Sequence, residues 1–139
     1  MRRAVAIAAV TVPLLLGALA VVALRPQRPW TSGSAAAVAE LVAGLQAEMK
    51  LYSGEAAAHY EKAVQLDPDF VAAKLLLAGT LKGKAGTRAA QLLAEVRAAD
   101  LARLSPGEQF LIRHTLAKLD RNADEAARVI DAHLAAHPD

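Results

Sequence analysis

The chain has 139 residues with 16 basic and 14 acidic side chains, and 55% of its residues are hydrophobic but only 4% aromatic, so it holds one small domain at most. It contains no cysteine, which excludes a disulfide framework and lipid attachment through a thiol. The net charge of +2 is a local matter: four of the 16 basic residues lie at or before Arg28, and the remaining 12 against 14 acids leave a net of −2, without the clustered cations that nucleic acid binding requires.

Residues 4–24 form an uncharged run of 21 residues, with Arg2 and Arg3 before it and Arg25 and Arg28 after it. A helix of that length spans about 31 Å, the thickness of a bilayer's hydrocarbon core. Residues 1–30 are therefore predicted to be a membrane anchor, with residues 4–24 in the lipid bilayer and Trp30 as an interfacial aromatic. Pro13 is tolerated in such a span. The competing reading is a cleaved signal peptide, because Ala18-Leu19-Ala20 has the small-x-small form of a processing site. The anchor predicts a single-pass protein of the inner (cytoplasmic) membrane with the remainder outside the cytoplasm, although the flanking arginines set the orientation weakly.

Residues 31–34 are a short linker whose Ser34 caps a first helix carrying Val38, Leu41, Val42, Leu45, Met49 and Tyr52 at helical spacing. Ser53-Gly54 is read as a turn, followed by an Ala-rich second helix to about Leu66 with Tyr60 and Val64 as its large residues. Asp67-Pro68 is expected to cap and start a third helix, with proline in the first position where its missing donor costs nothing. Lys82-Gly83-Lys84-Ala85-Gly86 breaks it. A fourth helix from about Thr87 to Leu104 buries Leu92, Leu93, Val96 and Leu104. Ser105-Pro106-Gly107-Glu108 is a capping box that opens a fifth helix on Phe110, Leu111 and Leu116, and Asn122 with Glu125 repeats the device for a sixth. No strand-period segment of useful length is present. The fold class is all-α.

Glu55-Ala56-Ala57 and Pro68-Asp69 recur as Glu125-Ala126-Ala127 and Pro138-Asp139, each displaced by 70 residues, twice 35. Periods near 34 belong to stacked helical hairpins, in which each unit must lean on its neighbours to bury its apolar face. Within the first unit Gly44, Ala56, Tyr60, Ala63 and Pro68 stand at the small, small, aromatic, small and proline positions of the tetratricopeptide repeat, and Ala126 and Pro138 match in the third, where His114 and His133 replace small residues and Ile130 the aromatic. The middle unit, about residues 69–104, loses the signature residues. Residues 35–139 thus resemble the tetratricopeptide repeat family. That resemblance implies three antiparallel helix pairs stacked as an α-solenoid, preceded by one transmembrane helix. It also implies a protein or peptide partner held on the face built by the first helix of each pair, where the first unit offers Val38, Leu41, Leu45 and Met49. The alternative for these four is ordinary contact with a neighbouring helix. The cationic and amide residues with which some members clamp a terminal carboxylate are absent, Leu41 and Leu45 occupying those places.

Other constellations have structural explanations. Residues 82–87 lack the Gly and Ser/Thr spacing of a phosphate loop. His133 and His137 share a helix face at a metal-holding spacing, but no third ligand is evident, and positive charge near a helix C-terminus accounts for them. The serines and paired carboxylates sit at helix starts, where they cap or complement the dipole. No catalytic residue, metal or cofactor is expected. The chain reads as a membrane-anchored binding or scaffolding module. Alternatives are a truncated sensor region of a bacterial Ser/Thr kinase or winged-helix regulator, and a periplasmic assembly or chaperone-like factor. The array also reads as incomplete, because the sixth helix carries Val129, Ile130 and Leu134, so self-association or a covering partner is expected.

Overall fold

The computed structural model describes residues 28–81 and 86–138. The uncharged run at residues 4–24, the segment Lys82-Gly83-Lys84-Ala85 and Asp139 lie outside them. Among the described residues the chain is all-helical: α1 (Ala35–Met49), α2 (Ser53–Leu66), α3 (Val71–Thr80), α4 (Gly86–Ala98), a 3₁₀ turn (Leu101–Arg103), α5 (Pro106–Leu119) and α6 (Ala123–Ala136). No strand occurs among them, and none of these helices is long and apolar enough to cross a membrane.

Local chemistry sets most boundaries. Ser34 Oγ accepts the Ala37 N–H at 3.1 Å and starts α1. Ser105 and Glu108 form the reciprocal box at the start of α5, and Asn122 Oδ1 accepts the Glu125 N–H at 3.0 Å at the start of α6. Three boundaries differ from expectation. The turn after α1 is Lys50–Leu51–Tyr52, with Ser53 and Gly54 already in α2. Pro68 stands outside α3, which begins three residues later. There the Asp67 side chain accepts the Asp69 N–H at 3.1 Å and its carbonyl accepts the Phe70 N–H at 3.1 Å, a tight turn that aims Phe70 into the core before the helix begins. Finally, α4 ends at Ala98 rather than near Leu104, because Asp100 caps a separate 3₁₀ turn by accepting the Ala102 N–H at 3.2 Å.

The 70-residue period is present in the backbone. The bounds of α2, 53 and 66, reappear in α6 as 123 and 136. The turns before them match as well. Among the described residues, Leu51 at φ 63° and Arg121 at φ 55° are the two non-glycine residues with positive φ, and each follows the C-cap of the preceding helix. Tyr52 N–H reaches back to the Ala47 carbonyl and Asn122 N–H to the Ala117 carbonyl, both at 2.9 Å, which is the six-to-one bond of a left-handed helix closure.

The principal contacts are α1 on α2, α2 on α3, α3 on α4 and α5 on α6, with α3 also touching α5. Two apolar clusters dominate. One joins Leu41 of α1, Ala63 of α2, Phe70 just before α3 and Ala72 and Ala73 of α3; the other joins Ala47, Ala56, Tyr60, Leu77, Ala78 and Leu92. A smaller one, Leu75, Val96 and Ile112, ties α3 and α4 to α5. Helix α6 buries no residue completely. Ion pairs link successive helices: Glu40 with Lys62 (2.5 Å) and His59 (2.7 Å) joins α1 to α2, Lys74 with Glu95 (2.7 Å) joins α3 to α4, and Arg97 grips both oxygens of Asp120 at 2.6 and 3.0 Å.

Candidate partner-binding face

Partly buried apolar side chains, Val38 and Leu45 from α1, Val64 from α2, Leu76 from α3 and Leu111 from α5, pack around the cluster that holds Leu41 and Ala73. Trp30 packs there too, with its ring edge-to-face on Phe70 at 6.3 Å and 72°. The indole is therefore engaged with the helical domain.

Residues 29–34 are tied down at several points along this edge. The Thr31 N–H donates to Glu108 Oε2 at 2.9 Å, the Ser105 N–H donates to Thr31 Oγ1 at 2.9 Å, and Ser105 Oγ donates to the Pro29 carbonyl at 2.7 Å. Ser32 Oγ donates to Asp67 Oδ2 at 2.5 Å. The linker thus touches the turn between α2 and α3 and the N-terminal end of α5, through residues up to 77 positions distant. Glu108 is completely buried. Its Oε2 accepts from both Thr31 and Ser105, whereas its Oε1, also buried, has no hydrogen-bond partner.

The four residues expected to meet a partner are placed unequally. Leu41 is fully buried and offers no surface, so it is a core residue. Val38 and Leu45 are half-buried against the cluster that holds Leu41. Met49 is 86% exposed at the end of α1, beside exposed Leu51 and Tyr52. The repeat-signature residues come together in the first hairpin: Ala56, Tyr60 and Ala63 are all fully buried, and a Cβ at Gly44 would lie 2.6 Å from Tyr60 Cδ1. Pro68 and Pro138 are exposed and Ala126 is half-buried.

Every group whose acidity departs from its ordinary value is explained by helix packing. Hydrogen bonds from Lys62 and then His59 hold the Glu40 carboxyl below its usual range, Lys74 does the same for Glu95 and Arg97 for Asp120, while Asp120 raises Arg97. Burial, with Glu48 accepting its hydroxyl hydrogen bond at 2.8 Å, raises Tyr60. His133 stacks on Phe110 at 4.2 Å and lies 4.7 Å from His137, and both line a cleft of about 420 Å³ with Arg113 and Arg128. Among the described residues no group of three His, Asp or Glu side chains could hold a metal ion.

What sequence reasoning missed is the linker's engagement and the second task of Glu108. Both are contacts between residues more than 70 positions apart, for which a single sequence carries no periodic signal. Compared with known proteins, the chain matches no family model, no curated protein and no solved structure.

Proposed function

We propose that this protein is a protein-interaction module of tetratricopeptide-like hairpins, stacked as three antiparallel pairs into a short solenoid and displayed from a membrane by residues 4–24. The observation that carries the reading is the repeat itself: α2 and α6 have the same bounds at an offset of 70, and each is preceded by the same left-handed closure, at Leu51 and Arg121. Units that repeat in this way bury their apolar faces against one another and present one continuous surface made by the first helix of each pair. In this chain that surface is the α1, α3 and α5 face, with Val38, Leu45, Leu76 and Leu111. A binding role is favoured over catalysis because the shifted titratable groups are each accounted for by an inter-helix ion pair or by core packing. The uncharged run at residues 4–24, followed closely by the domain, supports display from the inner membrane.

The test is site-specific photocrosslinking of the full chain in its native membranes. A crosslinker at Leu45 or Leu111, on the proposed face, should capture a discrete polypeptide, whereas one at Gln91 or Ala94, exposed on α4, should not. Equal yields from both sets of positions would overturn the proposed face.

A further inference from the structure

We infer that residues 29–34 are an intramolecular ligand of the α1, α3 and α5 face, and that the partner this face takes is an extended peptide of the same chemistry, an aromatic residue followed by a hydroxyl-bearing one. This rests on the protein-binding reading and specifies its partner.

The linker is held as a peptide ligand is held. Main-chain groups supply much of the bonding, the Pro29 carbonyl accepting from Ser105 and the Thr31 N–H donating to Glu108, while one aromatic side chain fills the apolar site against Phe70. The Thr31 hydroxyl adds a contact that depends on side-chain identity, since it accepts the Ser105 N–H at 2.9 Å. The receiving side is only half satisfied. Glu108 is fully buried, yet only its Oε2 is bonded, and burying a polar atom without a partner is costly. The linker is covalently continuous with α1, so it competes at the high effective concentration of an intramolecular segment, on the order of millimolar. A partner must displace it, and the face is guarded until one does.

Trp30 is the single tryptophan of the chain, which makes the engagement directly observable. The experiment uses the full chain in detergent, as wild type and as Trp30→Ala, and a synthetic peptide Arg-Pro-Trp-Thr-Ser-Gly-Ser copying residues 28–34. In the Trp30→Ala chain the only indole is the peptide's, so its emission reports binding. We expect a blue-shifted, saturable signal with Trp30→Ala and at least tenfold weaker binding to the wild type, whose own linker competes, measured by a fluorescent label on the peptide. A peptide N-methylated at the threonine amide, lacking the hydrogen that Glu108 accepts, and a peptide with Ala for Trp should each bind Trp30→Ala at least tenfold more weakly than the parent. Absence of binding to a Trp30→Ala chain of unchanged helical circular dichroism, equal binding to both chains, or indifference to N-methylation would overturn the inference. Should Trp30→Ala fail to fold, acrylamide quenching of the wild type decides: Trp30 must be protected relative to the urea-unfolded chain, and equal quenching refutes the docking. These outcomes are separable from the parent reading, because crosslinks from Leu45 and Leu111 can persist when the peptide fails, whereas their loss with a protected Trp30 sinks the parent reading and leaves only the docking of the linker.

Discussion

Two glycines 35 residues apart show how one residue type acquires opposite meanings from its surroundings. Gly44 is buried on α1 beneath the Tyr60 ring, and the space a Cβ would need is already taken by Cδ1 and Cε1 of that ring. Tyr60 cannot retreat, since it is fully buried and its hydroxyl is bonded to Glu48 at 2.8 Å. Gly79 lies near the end of α3 with nothing within 4 Å of an added Cβ. Gly44→Ala should therefore lower stability by about 1–3 kcal/mol through overpacking. Gly79→Ala should raise it by about 0.5–1 kcal/mol, because alanine restricts the unfolded chain at no steric cost in the helix. Urea unfolding followed by circular dichroism measures both. The same sign for the two substitutions would show that the Gly44 and Tyr60 contact does not constrain the hairpin.

Between elements, the carboxyls of Glu40, Glu95 and Asp120 each join one helix to another residue's helix or its end, and all three are held below their ordinary values by a cationic neighbour, Lys62 first for Glu40, Lys74 for Glu95 and Arg97 for Asp120. A carboxyl lowered in the folded state contributes stability that is fully present above its unfolded value, near 4.5 for glutamate and 3.8 for aspartate, and is lost as pH falls through the lowered folded value. Thermal stability should thus be level from neutral pH down to about 5 and fall below it. Each pair keeps at least one partner open to solvent, so each contributes modestly. In the combined Glu40→Gln, Asp120→Asn variant the acid limb should be shallower than in the wild type, read from melting midpoints across a pH series. A variant limb as steep as the wild type's would assign the acid sensitivity to other groups.

At the scale of the whole molecule, burial is uneven along the chain. The two larger clusters lie among α1, α2 and α3, with Leu92 of α4 joining the second, while α6 buries no residue completely and leaves Ile130 and Leu134 substantially exposed. Local stability follows burial. Amide hydrogen exchange should be slowest in α1 to α3 and fastest in α6, and a uniform protection pattern would mean that the hairpins unfold as one unit. The exposed stripe on α6 stands where α2, one double repeat earlier, is covered by α3. A protein comprising residues 28–139 should therefore associate with rising concentration in light scattering, and Leu134→Glu should abolish that association. A wild type that stays monomeric at high concentration would show that the α6 face needs no cover.

Period and capping chemistry are local properties, and they were legible in the residues alone. Ser34, Ser105 and Asn122 cap helices because a side-chain oxygen two or three residues from an orphan N–H needs no tertiary partner to reach it. The 70-residue displacement of Glu55-Ala56-Ala57 foretold equal bounds for α2 and α6 because like sequences meet like neighbours along a repeating chain. Pro68 misled, since a proline suits a helix start and a turn equally well, and the choice fell to Phe70, whose ring is drawn into the core between α1 and α3. Leu41 was read as surface or core with equal warrant, and only packing could put it fully inside. The linker's course was beyond any local reasoning. Trp30 after an uncharged run looks like a membrane-interface residue by composition, while its packing on Phe70, and that of Thr31 on Glu108, comes from the meeting of the α2–α3 turn with the start of α5, far apart in the chain and adjacent in the fold.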